Sequence, residues 1–211
     1  MKRSKISQLA AVAIIILIGV FVASGCAKPE ATPTPTPIPP STPTPTPKVH
    51  IIIYSDFLCH ACAELSSEVE GELLRLYVDT GKATMELRPL DAVAGNVSVS
   101  LRAAEAVLCA GDQGKVWEYS EAIYAVWLQS GEVAYSEEEL QKTASDLGLN
   151  TEVFSACLDS GAKGAVVEEN MNSAGALGLK ALPAVLINGN LTVGIKPLQT
   201  YVDQIEAVLA E

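Results

Sequence analysis

The hydrophobic pattern of the chain changes its period several times after residue 48, and each change predicts a different element. A β-branched apolar run at residues 50–54 ends in a turn, which is typical of a buried strand. Apolar side chains then recur three and four residues apart over residues 65–77, which predicts an amphipathic helix that ends at Gly81. A second strand is predicted at residues 83–87, closed by Arg88-Pro89-Leu90.

The remainder of the pattern is first helical and then extended again. Residues 97–177 have helical spacing throughout, and the aromatic side chains Trp117, Tyr124 and Trp127 within them are interpreted as core residues. Residues 184–194 predict a hairpin with an Asn-Gly turn, and Pro197 opens a closing helix. The order of strands and helices predicts an α/β fold.

The N-terminal part of the chain has a different composition. Residues 1–25 begin with three basic side chains and continue with an apolar run and small residues, which is typical of an export signal. The sequence before Cys26 resembles a lipoprotein lipobox, so we expect lipidation at Cys26, with an uncleaved N-terminal anchor helix as the alternative. Residues 26–47 form a linker rich in Thr-Pro repeats, which favour an extended spacer. Residues 48–211 are therefore expected outside the cytoplasm, tethered to the cell membrane.

The charge of the chain limits its partners. The net charge is −11, and loss of the basic residues Lys2, Arg3 and Lys5 with the export signal leaves −14. Such an acidic chain repels nucleic acid and anionic bilayers. We therefore expect no nucleic acid among its partners.

Candidate chemistry lies where the first strand gives way to the helix, at Cys59 and Cys62. The positive end of the helix favours a thiolate at Cys59, and His60 adds a cationic or hydrogen-bonding neighbour. A strand followed by Cys-x-x-Cys and a helix is typical of a thioredoxin-like redox site. Metal binding is an alternative, because zinc sites use the same spacing. A purely structural bridge across two residues closes too small a loop to stabilise much.

The number of cysteines limits which of them can pair. The chain has five cysteines. If Cys26 is lipidated and Cys59 pairs with Cys62, then Cys109 and Cys157 are left. In an oxidising compartment this pair is either a disulfide or two buried free thiols.

Three features of the chain resemble the DsbA-like branch of the thioredoxin superfamily. One run resembles the family's Asp-Phe-x-Cys-x-x-Cys active turn: Ser55-Asp56-Phe57-Leu58-Cys59-His60-Ala61-Cys62. Residues 178–189 resemble the family segment that contains a cis-proline, here Pro183. The helical block at about residues 97–177 lies between them, as the family's inserted helical domain does. The resemblance implies a thioredoxin-like α/β fold with an inserted helical domain for residues 48–211.

The resemblance also implies roles for individual residues. Cys59 is expected to be the exposed nucleophile and Cys62 its more buried partner, with thiol–disulfide exchange through a mixed disulfide on Cys59. Pro183 is expected to be cis and to face the Cys59 sulfur, where it denies a metal its fourth ligand position. Backbone groups of Leu182 are expected to pair with a substrate peptide as an added strand. No cofactor and no metal are implied.

The chain departs from the best-known family member beside the site. Histidine precedes alanine between its cysteines, and Ile53 replaces a buried acidic residue six positions before the nucleophile. These departures leave the strength of the oxidant open. Cys109 and Cys157 resemble a second disulfide that some family members have in the helical domain, which implies a structural bridge.

The leading functional hypothesis is an oxidase that introduces disulfides into unfolded or reduced exported proteins. It is expected to be a monomer that is reoxidised by a membrane partner of the DsbB or vitamin-K-epoxide-reductase (VKOR) type. One alternative is a reductase or isomerase of the same fold. Another is a metal-binding lipoprotein that uses Cys59, Cys62 and His60, although Met85 and Met171 are isolated in the sequence, which argues against copper.

Overall fold

A four-stranded mixed sheet forms the centre of the computed structural model, which describes residues 48–92 and 96–211. The strands lie in the order β2-β1-β3-β4, where β1 is Val49–Asp56, β2 is Ala83–Leu90, β3 is Ala184–Ile187 and β4 is Asn190–Val193. Strand β1 pairs parallel to β2 and antiparallel to β3, and β3 pairs antiparallel to β4. The central position of β1 brings the end of this strand, and the cysteines after it, to the middle of one sheet edge.

Helices pack around this sheet within the described ranges. Helix α1 covers residues 60–78 and alternates between α-helix (His60–Leu65 and Gly71–Leu73) and π-helix (Ser66–Glu70 and Leu74–Val78). The later helices are α2 (Val97–Gly111), α3 (Val116–Ser130), α4 (Glu137–Asp146), α5 (Thr151–Ser160), α6 (Gly164–Ala176) and α7 (Leu198–Leu209). A 3-10 helix, Gly131–Tyr135, joins α3 to α4. Helices α2 to α6 are the inserted block between β2 and β3, and the predicted fold class is confirmed.

Residues 51–56 of β1 are buried or half-buried, because helices pack against both faces of this part of the sheet. Ile51 and Ile53 point into the larger core, which the helical block shares with α1 and α7. Tyr54 points to the opposite face and packs with Ala174 of α6. Alternate residues of one strand therefore stabilise two separate helical layers.

Strand β2 is longer than its sequence pattern predicts. It continues through Pro89, which pairs with Ser55 of β1, instead of closing after Leu87. Because β2 is an edge strand, it tolerates a residue that lacks an N–H group. The Pro89 carbonyl accepts a hydrogen bond from the side-chain amide of Asn170 in α6, at 3.1 Å. A tertiary contact thus supports the part of the strand that local signals would end.

The predicted export signal or anchor at residues 1–25, the linker at residues 26–47 and the lipidation site Cys26 lie outside the described residues. These three remain predictions. Over residues 48–92 and 96–211, no helix is both long enough and apolar enough to cross a bilayer.

Candidate active site

The two cysteines occupy the junction between β1 and α1. Cys59 is the N-cap residue of α1, and its sulfur accepts a hydrogen bond from the backbone N–H of Cys62 at 3.3 Å. Cys59 is half-buried and Cys62 is fully buried, and neither is bonded in a disulfide. A substrate sulfur can therefore approach Cys59, whereas Cys62 has no solvent-exposed surface.

The surroundings of the two thiols move their pKa values in opposite directions. The pKa of Cys59 is lowered from 9.0 to about 7, chiefly by the hydrogen bond with the Cys62 side chain, and further by backbone N–H groups of the first helical turn. The nearby Asp56 carboxylate opposes this effect. Burial raises the pKa of Cys62 well above its ordinary value, and the Cys59 side chain raises it further. Cys59 is thus the sulfur that carries negative charge near neutral pH.

A buried carboxylate holds the turn that leads into the cysteines. Asp56 accepts hydrogen bonds from the backbone N–H of Leu58 at 2.8 Å, from the backbone N–H of Ala92 at 2.7 Å, and from the hydroxyl of Ser100 at 2.8 Å. These donors come from the turn itself, from the segment after β2 and from α2. Hydrogen bonds to a charged group are among the stronger ones, so Asp56 fixes the position of the turn relative to the helical block.

Two tyrosines of the helical block secure the same turn from the other side. The hydroxyl of Tyr124 donates to the carbonyl of Asp56 at 3.0 Å, and the hydroxyl of Tyr135 donates to the carbonyl of Phe57 at 2.5 Å. The rings of Phe57 and Tyr124 also pack together, with 4.6 Å between centroids. Sequence analysis assigns Tyr124 to the core and gives Tyr135 no role. The available signal is that a buried tyrosine hydroxyl needs a partner, but the sequence does not say which one.

His60 lies at the surface beside Cys59. Its ring packs against that of Trp127 in α3, with 4.5 Å between centroids and an angle of 55°. The contribution of His60 to the Cys59 thiolate stays a prediction. The contact instead connects the first turn of α1 to the inserted helices.

Beside Cys59 the surface forms a groove of about 500 Å³. Its wall includes Cys59, the apolar side chains of Leu90, Met171 and Leu182, and the charged residue Lys180. The groove runs between the sheet and α6, so a segment of another protein that enters it contacts the reactive sulfur.

Leu182 and Pro183 lie in the segment that leads into β3. The Leu182–Pro183 peptide bond is cis. Pro183 is buried, and its carbonyl accepts a hydrogen bond from the backbone N–H of Gly194 at 2.8 Å. The backbone N–H and C=O of Leu182 form no hydrogen bond with any other described residue. Leu182 therefore presents unpaired backbone groups in the wall of the groove.

The remaining candidate residues lie apart from this site. Cys109 in α2 and Cys157 in α5 are joined in a disulfide with 5.8 Å between their Cα atoms. Across residues 48–92 and 96–211, no group of three or more His, Cys, Asp or Glu side chains is arranged to hold a metal ion. A metal site built on Cys59, Cys62 and His60 would need further ligands from elsewhere.

Comparison with known proteins identifies the family. Residues 44–207 match a family model described as thioredoxin, so the chain belongs to the thioredoxin family. No curated protein matches the chain. Family membership and the dithiol at the start of α1 define a thiol–disulfide oxidoreductase.

Solved structures place the fold within this family. DsbA from Mycobacterium tuberculosis, in its reduced form, has a TM-score of 0.63 at 24% identity, covering 82% of this chain and 87% of its own. DsbA from Chlamydia trachomatis has a TM-score of 0.64 at 22% identity, with coverages of 86% and 98%. Oxidised BdbD from Bacillus subtilis has a TM-score of 0.62 at 17% identity, with coverages of 78% and 89%. The protein therefore has a DsbA-like fold, a thioredoxin fold with inserted helices.

Proposed function

We propose that this protein is an extracytoplasmic oxidase that introduces disulfides into unfolded or reduced exported proteins. The observation that carries the proposal is that the half-buried Cys59 lies in the wall of a largely apolar groove. Unfolded chains expose apolar side chains and unpaired backbone, and both have complementary groups in this groove. The surface of a folded protein exposes fewer apolar side chains and fewer unpaired backbone groups.

The backbone of Leu182 supports binding of an extended substrate segment. Its N–H and C=O groups have no partner among the described residues, and Leu182 and Cys59 line the same groove. An extended peptide that pairs with Leu182 gains main-chain hydrogen bonds without a requirement for a particular sequence. This arrangement suits an enzyme that acts on many different exported proteins.

The reaction begins with the Cys59–Cys62 disulfide. A substrate thiolate attacks the Cys59 sulfur, the bond between Cys59 and Cys62 breaks, and Cys62 leaves as a thiolate that takes up a proton. A second substrate thiolate then attacks the substrate sulfur of the mixed disulfide, and Cys59 leaves as a thiolate. The substrate loses two electrons and gains a disulfide, and the enzyme becomes a dithiol. A lowered Cys59 pKa helps the final step, because a more acidic thiol is a better leaving group.

The cell must reoxidise the dithiol after each turnover. We propose a membrane partner of the DsbB or VKOR type, tethering of the chain through its N-terminal segment, and action as a monomer. The Cys109–Cys157 disulfide supports an extracytoplasmic location, because disulfides persist in oxidising compartments and are rare in the cytosol. The export signal expected at residues 1–25 is consistent with this location.

A reductase or isomerase is the second candidate, and one observation favours it. The Cys59 pKa of about 7 matches that of thioredoxin, about 7, rather than that of DsbA, about 3.5. A weakly stabilised thiolate stabilises the reduced enzyme less and gives a weaker oxidant. The direction of electron flow thus depends on the reduction potential.

The reduction potential of the Cys59–Cys62 pair tests the proposal. The full chain is equilibrated with glutathione buffers, and the state of Cys59 is measured separately from that of Cys109 and Cys157. An oxidase is expected to have a potential above about −200 mV, whereas a value near −270 mV, that of thioredoxin, would assign a reducing role. The Cys62→Ser variant is the matched control, since it cannot form the bridge and must lack the two-electron transition.

A further inference from the structure

A second surface pocket, of about 400 Å³, lies between α1 and the first turns of α3. It shares no wall residue with the groove beside Cys59, and the exchange reaction proposed above makes no use of it. Four carboxylic acids contribute to its wall, namely Glu70, Asp79, Glu118 and Glu121. Among the residues that the structure describes, no lysine, arginine or histidine lines the pocket. The charge of the wall therefore favours a cation.

Only one of these four carboxylates is in an ion pair within the protein. The ammonium group of Lys115 lies 2.8 Å from Glu118, at the rim of the pocket. Within residues 48–92 and 96–211, Glu70, Asp79 and Glu121 form no ion pair. Three acidic side chains therefore contribute to one pocket without a cation of the protein to balance them.

Glu70 is the buried member of this group. It follows Ser66 by one helical turn on the side of α1 that α3 covers, and it is only 3% exposed. Its Oε1 atom has no hydrogen-bond partner. Burial raises the pKa of Glu70 from 4.5 to about 7, and repulsion by Glu121 contributes less. A buried carboxylate is costly unless a partner compensates its charge, and a cation in the pocket is such a partner.

The rest of the wall indicates which kind of cation fits. The half-buried Trp117 lines the pocket together with the apolar side chains of Leu74 and Val78. A guanidinium group stacks on an aromatic ring and donates two parallel hydrogen bonds to a carboxylate, and apolar side chains accommodate its methylene stem. A metal ion gains nothing from apolar surface. No group of three or more His, Cys, Asp or Glu side chains in the described part of the chain is arranged to hold one.

We propose that this pocket binds the guanidinium group of an arginine side chain from a partner protein. The guanidinium group lies against Trp117 and pairs with Glu70 and Glu121, and its stem contacts Leu74 and Val78. Free arginine fits less well, because the acidic wall repels its carboxylate, whereas an arginine within a polypeptide has no such charge. The net charge of −11 also favours the approach of a basic partner. The inference is independent of the direction of electron flow at the dithiol.

The test is a titration of the full chain with N-acetyl-arginine amide, in which the guanidinium group carries the only charge. The fluorescence of Trp117 reports binding, because the other tryptophan, Trp127, is buried and does not line the pocket. A saturable change is expected. N-acetyl-citrulline amide has nearly the same shape without the charge and should bind at least about tenfold more weakly. Equal binding of N-acetyl-lysine amide would overturn the guanidinium assignment, and equal binding of free arginine would overturn the assignment to a partner protein.

Three variants locate the binding. Glu70→Gln keeps the shape of the side chain and should weaken binding of N-acetyl-arginine amide at least about tenfold, since loss of a hydrogen-bonded charge partner costs that much. Glu121→Lys places a positive charge in the wall at an exposed position and should abolish binding, and it carries the test if the Glu70 variant does not fold. Glu105→Gln is the matched control, because it changes a buried glutamate of α2 outside the pocket and must bind as wild type does. Unchanged affinity in Glu121→Lys, or in a folded Glu70→Gln, would overturn the proposal.

Discussion

Replacement of Glu70 by glutamine should change how the stability of the protein depends on pH. Burial raises the pKa of Glu70 from 4.5 to about 7 in the folded state. The unfolded chain therefore loses this proton at a lower pH than the folded protein does. The stability that the protonated side chain provides is complete below about pH 4.5 and is lost as pH rises through about 7. At about 1.4 kcal/mol for each pKa unit, the loss is about 3 kcal/mol.

The measurement is the free energy of unfolding in urea of wild type and Glu70→Gln at about pH 4 and about pH 8, with Cys59 and Cys62 reduced. The free energy of unfolding of Glu70→Gln, minus that of wild type, should rise by about 3 kcal/mol from about pH 4 to about pH 8, because glutamine cannot ionise. Other titrating groups are common to both proteins and cancel. Glu121→Gln should reduce the pH dependence by a smaller amount, since Glu121 contributes less than burial to the raised pKa of Glu70. A difference that is constant with pH would refute the reasoning.

Four further substitutions test the active turn and the helix that follows it. Cys62→Ala should raise the pKa of Cys59 from about 7 towards 9, because the Cys62 side chain is the largest cause of the lowered value, and the thiolate absorbance as a function of pH measures it. Tyr135→Phe should cost about 1–2 kcal/mol of unfolding free energy in a urea titration, because it leaves a buried backbone carbonyl without its donor. Gly71→Ala should raise the unfolding free energy by about 0.5–1 kcal/mol, because Gly71 is helical and a methyl group there meets nothing within 4 Å. Gly81→Ala should instead lower it by about 1 kcal/mol, because Gly81 has a φ of 71°; equal effects of the two glycine changes would contradict the argument.

Local sequence signals determine the elements and the reactive dithiol. The continuous apolar run of β1, the helical spacing after Cys62 and the Asn-Gly hairpin turn depend on residues close together in the chain. The location of Cys59 at the start of a helix also follows from its neighbours, and with it the preference for a thiolate. The fold class and the chemistry of the Cys-x-x-Cys turn were therefore predictable. Local signals failed at Pro89, where a pairing partner in β1 and a donor in α6 extend the strand.

Tertiary structure decided which side chains support the dithiol. Ser100 and Tyr135 lie 44 and 78 residues along the chain from the turn atoms that they hold, and no periodicity in the sequence relates them to that turn. No sequence pattern relates Leu182 to the turn either. Leu182 lies beside Cys59 only because β3 pairs with β1. Such contacts depend on how the inserted helices pack onto the sheet, and packing is a property of the whole chain.

Glu70 shows the physical reason most clearly. In the sequence it is one charged residue of a predicted amphipathic helix, where a carboxylate is normally solvated. In the fold it is 3% exposed, because α3 covers that side of α1 and buries a line of polar groups with it. Burial changes the free energy of its charged form and so converts an ordinary surface acid into one that titrates near neutral pH. The sequence specifies the side chain, but its pKa depends on the solvent that the tertiary structure excludes.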